Sequence, residues 1–235
     1  MSTPLDSPRL QFGGIVFPDI DQADFTAPFE VLANVPNSTF HVVARDPQPV
    51  RDVKGLLLTP QTSFSECPRL DLLLVPGGAG VNAAMEDPAV LGFIRNQAAS
   101  ARIVLSVCTG ALLCGAAGLL VGRKATTHWA SHHLLKEFGA HPVDSRVVQD
   151  GTLITCAGVT AGIDGALRAV ALLRSPDVAQ AIQLYLEYAP EPPFHAGHPR
   201  TAPPDLVSAR REALRGLLEQ RQAVVKRAAA KLGLG

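Results

Sequence analysis

The chain has 235 residues, 47% hydrophobic and 18% charged, enough apolar material for one α/β core with a modest appendage. Its 21 basic and 21 acidic residues cancel, so no overall field directs it toward nucleic acid or a membrane surface. Four cysteines without a CxxC pair exclude a disulfide framework and are read one by one as free thiols.

The opening MSTPLDSPRLQF has no apolar stretch and no small-residue cleavage site, so no secretion signal is expected and the cytoplasm is the expected compartment. Leu10 to Phe17 is an apolar run ended by Pro18 and predicts a central strand. An acidic turn, Asp19 to Asp24, precedes a short helix over Phe25 to Ala33, and Thr39 to Ala44 is a second strand. Val50 to Leu58, with Gly55 inside it, reads as an edge hairpin. Leu70 to Val75 is a buried strand running into the permissive turn Pro76-Gly77-Gly78-Ala79-Gly80. Asp87 and Pro88 open a helix that continues to about Ser100. Arg102 to Val107 is the next buried strand, followed at once by a helix of small residues, Cys108 to Gly118. Arg123 to Thr127 predicts a short strand and His128 to Phe138 a helix. Strands over Val143 to Val148 and Thr152 to Thr155 flank the Asp150-Gly151 turn. Helices are expected over Val159 to Leu173, over Asp177 to Tyr188, and from near Asp205 to the end. Apolar runs such as Leu112 to Leu120 are broken by glycine and too short to span a membrane. Continuously apolar strands alternating with helices predict a mostly parallel sheet covered on both faces.

In such sheets ligands bind beyond the carboxyl ends of the strands, and three features converge there. Cys108 lies between the strand end Val107 and a helix start, where unpaired amides and the helix dipole favour a thiolate nucleophile. The bland alternative is a small buried hydrophobe. Gly110 would let a bulky substrate approach the turn. The amides of Gly77 and Gly78 are placed to hold a developing negative charge, although a plain tight turn explains them nearly as well. Asp24 is either a proton donor and acceptor or the cap of the helix at Phe25; local sequence favours the cap. Cys67, Cys114 and Cys156 look inert. His128 and His132 share a helical face but lack a third ligand, so no metal is expected. Trp129 is core or pocket wall.

Ser106-Val-Cys-Thr-Gly110, Ala116-Ala-Gly-Leu-Leu120, Gly122-Arg-Lys-Ala-Thr-Thr-His-Trp129 and Thr160-Ala-Gly-Ile-Asp164 resemble the ThiJ/PfpI superfamily. Within it the chain is most similar to the isonitrile hydratases, on Thr62-Ser-Phe64, Met85-Glu-Asp-Pro88, Leu186-Glu-Tyr-Ala-Pro190, Pro192-Pro-Phe194 and Ala196-Gly197. The resemblance implies a flavodoxin-like three-layer α/β sandwich, akin to class I glutamine amidotransferases, forming a homodimer without a cofactor. It also implies conversion of an isonitrile and water to an N-substituted formamide. It puts the nucleophile at Cys108 and its partner carboxylate at Asp24, with Thr109 following the nucleophile; Gly77, Gly78, Gly110 and Val159 are the expected substrate-binding positions. Ala27, Cys156 and Ala157 depart from the family pattern, and the Ala27 methyl is expected either to narrow the pocket or to shift the backbone.

On this reading residues 1–205 form the α/β domain. Residues 206–235 form an amphipathic helix on the same domain or at a dimer interface, its apolar positions Val207, Leu214, Leu218 and Val225 on one side. This tail carries seven Lys/Arg against Glu212 and Glu219, a balance expected of a solvated face and less often of a contact with RNA or an acidic partner. A thiolate at Cys108 would require Asp24 to hold its proton, because adjacent anions repel. Two other readings stand beside the hydratase. A ligand-sensing domain related to AraC-type regulators would need on the order of 100 further residues for DNA binding, and about thirty follow Asp205. Another cysteine-dependent hydrolase or glyoxalase of the superfamily would generally carry His where Thr109 stands.

Overall fold

The computed structural model describes residues 8–234. Its elements in chain order are β1 (Leu10–Ile15), α1 (Gln22–Ala33), β2 (Ser38–Ala44), β3 (Val50–Arg51), β4 (Leu57–Leu58), β5 (Thr62–Ser63), β6 (Leu72–Val75), α2 (Val81–Ala84), α3 (Pro88–Ala98), β7 (Ile103–Val107) and α4 (Gly110–Ala116). There follow β8 (Lys124–Ala125), a 3₁₀ helix (Trp129–Phe138), β9 (His141–Pro142), β10 (Val147–Asp150), β11 (Leu153–Cys156), α5 (Ala161–Leu173), α6 (Pro176–Tyr185) and α7 (Pro204–Lys231).

Seven strands form the central sheet in the order β10-β11-β7-β6-β1-β2-β5, parallel except for β10 against β11. β6 and β7 are buried at every position, as strands covered on both faces must be. Helices α1, α5 and α6 pack together on one face; α3, α4, the 3₁₀ helix and α7 cover the other. This is a flavodoxin-like three-layer α/β sandwich. β1 lies between β2 and β6, so the chain builds outward in both directions from the middle, and the carboxyl ends of β1, β6 and β7 lie side by side at the reversal.

A glycine in β1 seats α1 against the sheet. A Cβ at Gly14 would lie 2.6 Å from the Phe25 ring and 3.1 Å from Phe40, so the bare strand backbone is what lets Phe25 dock. Phe25, Phe29 and Phe40 then stack as a cluster over β1 and β2. The helix cap is Asp21, whose side chain accepts from the Ala23 amide at 3.2 Å. The capping role expected for Asp24 thus falls three residues earlier, and Asp24 stands inside the first turn. Of the expected elements, Asp87 caps α3 through Ala89, and β10 and β11 flank the Asp150-Gly151 turn; β3 and β4 pair as a hairpin, but one that forms its own two-stranded sheet rather than an edge of the central one. The helix is a 3₁₀ helix over Trp129–Phe138 with His128 before it as the capping residue, so His128 and His132 do not share a helical face. His132 Nε2 instead meets the Val143 carbonyl at 3.1 Å.

Candidate active site

Cys108 follows β7 directly and has φ 55°, in the left-handed region that side chains other than glycine rarely adopt. Such a residue costs about 1–2 kcal/mol, and the surroundings enforce it. The Cys108 amide donates to the Cys156 carbonyl at 3.1 Å, and the Cys108 carbonyl accepts from Thr127 Oγ1 at 2.6 Å. On the far side, Gly110 lies so close to β6 that a Cβ would stand 2.1 Å from the Val75 carbonyl oxygen. Gly110 therefore does not line the cavity; it lets the turn seat against the sheet, which replaces the substrate-access role expected of it. Gly110→Ala is expected to cost about 3 kcal/mol, since neither contacting group is the flexible end of a side chain. A shift of the urea midpoint measures it.

The neighbouring turn after β6 is spent in the same way. The Gly77 amide donates to Asp24 Oδ2 at 3.1 Å, and the Gly78 amide donates to Thr109 Oγ1 at 3.0 Å. Both amides expected to hold a developing negative charge are thus engaged within the protein. Their work is to fix Asp24 and Thr109. A Cβ at Gly77 would fall 2.6 Å from Thr109 and 2.8 Å from Asp24 Oδ2, so this closeness needs a glycine.

Asp24 is fully buried and its carboxyl interacts with the Cys108 thiol, while Oδ1 has no hydrogen-bond partner among the described residues. Burial, helped by the nearby charge of Asp21, raises the Asp24 pKa from 3.8 to about 7, against the opposing pull of the Cys108 and Gly77 hydrogen bonds. Burial also raises the Cys108 thiol well above its ordinary value, and the Asp24 charge pushes the same way; the Thr109 amide and Arg221 oppose them. The helix-start amide works against desolvation at the sulfur, and because both shifts are upward the two groups share a proton rather than ionise together.

Cys108 and Thr109 form part of the floor of an open cavity of about 620 Å³. Val159 and Gly78 line it, while Gly77 and Gly110 do not. Ala27, Cys156 and Ala157 also lie outside the lining, so the narrowing expected from Ala27 is absent; Asp21 is the contribution of that segment. Trp129 is wall, and Arg211 sits over its ring at 5.9 Å. Val53 and Lys54 of the β3–β4 hairpin reach in from the rim.

The remaining wall comes from the loop carrying Ala196, Gly197, His198, Pro199 and Ala202 and from α7. Val207, Leu214 and Leu218 of its apolar stripe face the cavity of their own chain, and Val225 is fully buried. Arg221 breaks the pattern of a solvated basic face: it is 4% exposed and lines the cavity. The sequence carried a signal for it, because Arg221 falls seven residues after Leu214 and three after Leu218, in the middle of the apolar stripe. His128 also lines the cavity; burial and the Arg221 charge lower its pKa. Its Nδ1 accepts from the Ala130 amide, so the neutral ring carries its proton on Nε2.

Burial pushes Cys67 up to about 11 and Cys114 up to about 12, and Cys156 upward as well, which leaves them protonated. No group of three His, Cys, Asp or Glu among the described residues is placed to hold a metal ion, and no described helix is long and apolar enough to cross a membrane.

The arrangement is a thiol and a buried carboxyl at the base of a largely apolar cavity, in a chain that is similar to known proteins. The chain is 53% identical to the isonitrile hydratase of Pseudomonas putida, over 96% of this chain and 99% of that one. It superposes with a TM-score of 0.91 on the crystal structure of a ThiJ/PfpI family protein from Pseudomonas syringae, at 39% identity, covering 95% of this chain and 93% of that one. The protein DJ-1alpha of Drosophila melanogaster is 28% identical over 72% of this chain and 79% of its own. The pattern of the DJ-1/PfpI family matches residues 15–172, from the end of β1 through the Cys108 turn into α5, and the chain belongs to that family.

Proposed function

We propose that this protein is an isonitrile hydratase that adds water to an isonitrile to give an N-substituted formamide. The observation that carries the reading is Cys108 on a cavity floor with the buried Asp24 behind it, in a chain 53% identical along almost its full length to an isonitrile hydratase. The isonitrile carbon is neutral and accepts a soft nucleophile, which suits sulfur better than a hydroxyl. As Cys108 Sγ attacks that carbon, Asp24 takes the thiol proton and returns it to the same carbon. One S–C and one C–H bond form, the C–N triple bond becomes double, and a thioimidate results. Water then adds to the thioimidate carbon, giving up one proton to Asp24 while nitrogen gains another. Collapse of the adduct to C=O expels sulfur, which recovers its proton, and the formamide leaves. The left-handed turn at Cys108 acts as a nucleophile elbow, projecting Sγ beyond the sheet edge. Thr109 acts by holding the Gly78 turn and turning its amide toward the sulfur.

The apolar wall supports a hydrocarbon substituent on the isonitrile, and α7 sets its size. Leu218→Trp is expected to lower kcat/KM about tenfold for phenyl isonitrile and to spare methyl isonitrile, a difference read by running the two side by side. We further propose a homodimer working in the cytoplasm on a small molecule rather than on nucleic acid or a membrane, without a cofactor. We assign the α/β domain to 1–205 and the C-terminal helix to 206–235; among the described residues, the contacts of α7 with α2, α4 and the 3₁₀ helix support its packing on that same domain. Formamide release from aliphatic and aromatic isonitriles by the purified protein tests the function. Release at rates far above background supports it. Stoichiometric binding without turnover would favour a sensing domain instead.

A further inference from the structure

We propose that Arg221, far from the α/β core in sequence, is the positioning residue of the nucleophile: it clamps the turn beside Cys108 and supplies the positive charge that supports the sulfur as it ionises. The guanidinium is pinned in three directions. Its Nε donates to Asn82 Oδ1 at 2.9 Å, Nη1 to Ser131 Oγ at 3.1 Å and Nη2 to the Gly78 carbonyl at 3.1 Å. That carbonyl also accepts from Thr109 Oγ1 at 3.3 Å, while the Gly78 amide donates back to it. A continuous path therefore runs from Arg221 through Gly78 to Thr109, whose amide faces the sulfur.

The charge has no other evident employment. A buried guanidinium is costly unless an anion faces it, yet among the described residues no carboxylate stands within ion-pairing distance of Arg221. The ionisable group it faces is Cys108. Around the sulfur, Asp24 on α1 opposes ionisation, with Asp21 adding to the charge at Asp24. His128 beside the 3₁₀ helix has its pKa lowered, and of the cations lining the cavity, Lys54, Arg210 and Arg221, it is Arg221 on α7 whose charge bears on the sulfur. Five N–H groups less three hydrogen bonds leave two donors on a residue that lines the cavity. α7 thereby delivers both the apolar wall and the charge.

The proposal rests on Cys108 being the reacting thiol, and not on the isonitrile as substrate. Its test therefore uses iodoacetamide on the full-length protein, with carbamidomethylation of the Cys108 peptide followed by mass spectrometry across roughly pH 6 to 10. In Arg221→Met alkylation should be about tenfold slower along the acidic limb, as a one-unit rise of the thiol pKa requires, while Arg221→Lys stays near the wild-type profile. Superimposed profiles for Arg221→Met and wild type would overturn the proposal. So would equal shifts in the Met and Lys variants, which would mark a packing effect rather than charge. Arg221→Gln replaces Arg221→Met should the latter not fold, and failure of both neutral variants to fold would reduce Arg221 to a structural clamp. Formamide release is assayed separately, so loss of the hydratase reading leaves this result standing.

Discussion

Cys108→Ala is expected to bring formamide release down to background, a loss of at least about 10⁴-fold in kcat, with the fold intact. Of the groups at the cavity floor, the thiol is the one able to bond to the isonitrile carbon. Asp24 lies beneath it, fully buried, and Thr109 Oγ1 is held by both groups of Gly78. Stability should change by less than about 1 kcal/mol, because alanine keeps the backbone bonds to Cys156 and Thr127 that hold the turn. Alanine inherits the left-handed conformation, so the strain is common to both proteins. Urea unfolding and formamide release, measured on one preparation, separate the two effects.

Asp24 carries the second large expectation, with opposite signs for rate and stability. If the carboxylate accepts the thiol proton, kcat/KM rises as pH climbs through about 7, the value to which burial lifts Asp24. Asp24→Asn should remove that limb and lower the rate by about 10²- to 10⁴-fold. For stability, a carboxyl with a folded pKa above its unfolded one means that the native state binds more protons between about pH 4 and 7. Unfolding free energy from this group therefore falls as pH rises across that window. The three-unit shift corresponds to a cost on the order of 4 kcal/mol once Asp24 is ionised, reached above about pH 7. Asn is neutral throughout and can keep the Gly77 hydrogen bond. Asp24→Asn should thus unfold at higher urea than wild type at pH 8, with the difference closing toward pH 4. A variant less stable than wild type at pH 8 would rule out the buried charge.

The parts of the site written into contiguous residues were legible beforehand. An apolar strand, a cysteine and a run of small residues announce a strand-turn-helix junction, and its location at the sheet's carboxyl edge follows from parallel topology. The Asp87-Pro88 start of α3 and the hairpin around Gly55 are local in the same sense. Other features depend on partners distant in sequence. Asp21 and Asp24 both precede apolar residues, and only the Gly77 amide and the Cys108 thiol, brought in by two other strands, distinguish a cap from a buried acid. The glycines of 77–78 advertised free amides, yet the sequence could not show that Asp24 and Thr109 consume them. The ionisation of Cys108 depends on desolvation, a property of the packed molecule that the helix-start argument alone does not contain. Arg221 was visible as a charge in an apolar stripe but read as part of a basic surface, because the stripe's destination was unknown. The choice between 3₁₀ and α geometry at 129–138 is finer than hydrophobic periodicity can make, and the histidine pairing failed with it.

The proposed mechanism stands on sulfur bonding to the substrate while a carboxyl beneath it carries the proton. A single-turnover reaction with a slowly processed aromatic isonitrile, quenched at intervals and mapped by peptide mass spectrometry, observes that bond itself. An added mass equal to that of the isonitrile should appear on the Cys108 peptide, rising before formamide and decaying as formamide accumulates, with slower formation in Asp24→Asn. Formamide produced through the first turnover while the Cys108 peptide stays unmodified at every interval would be incompatible with covalent catalysis.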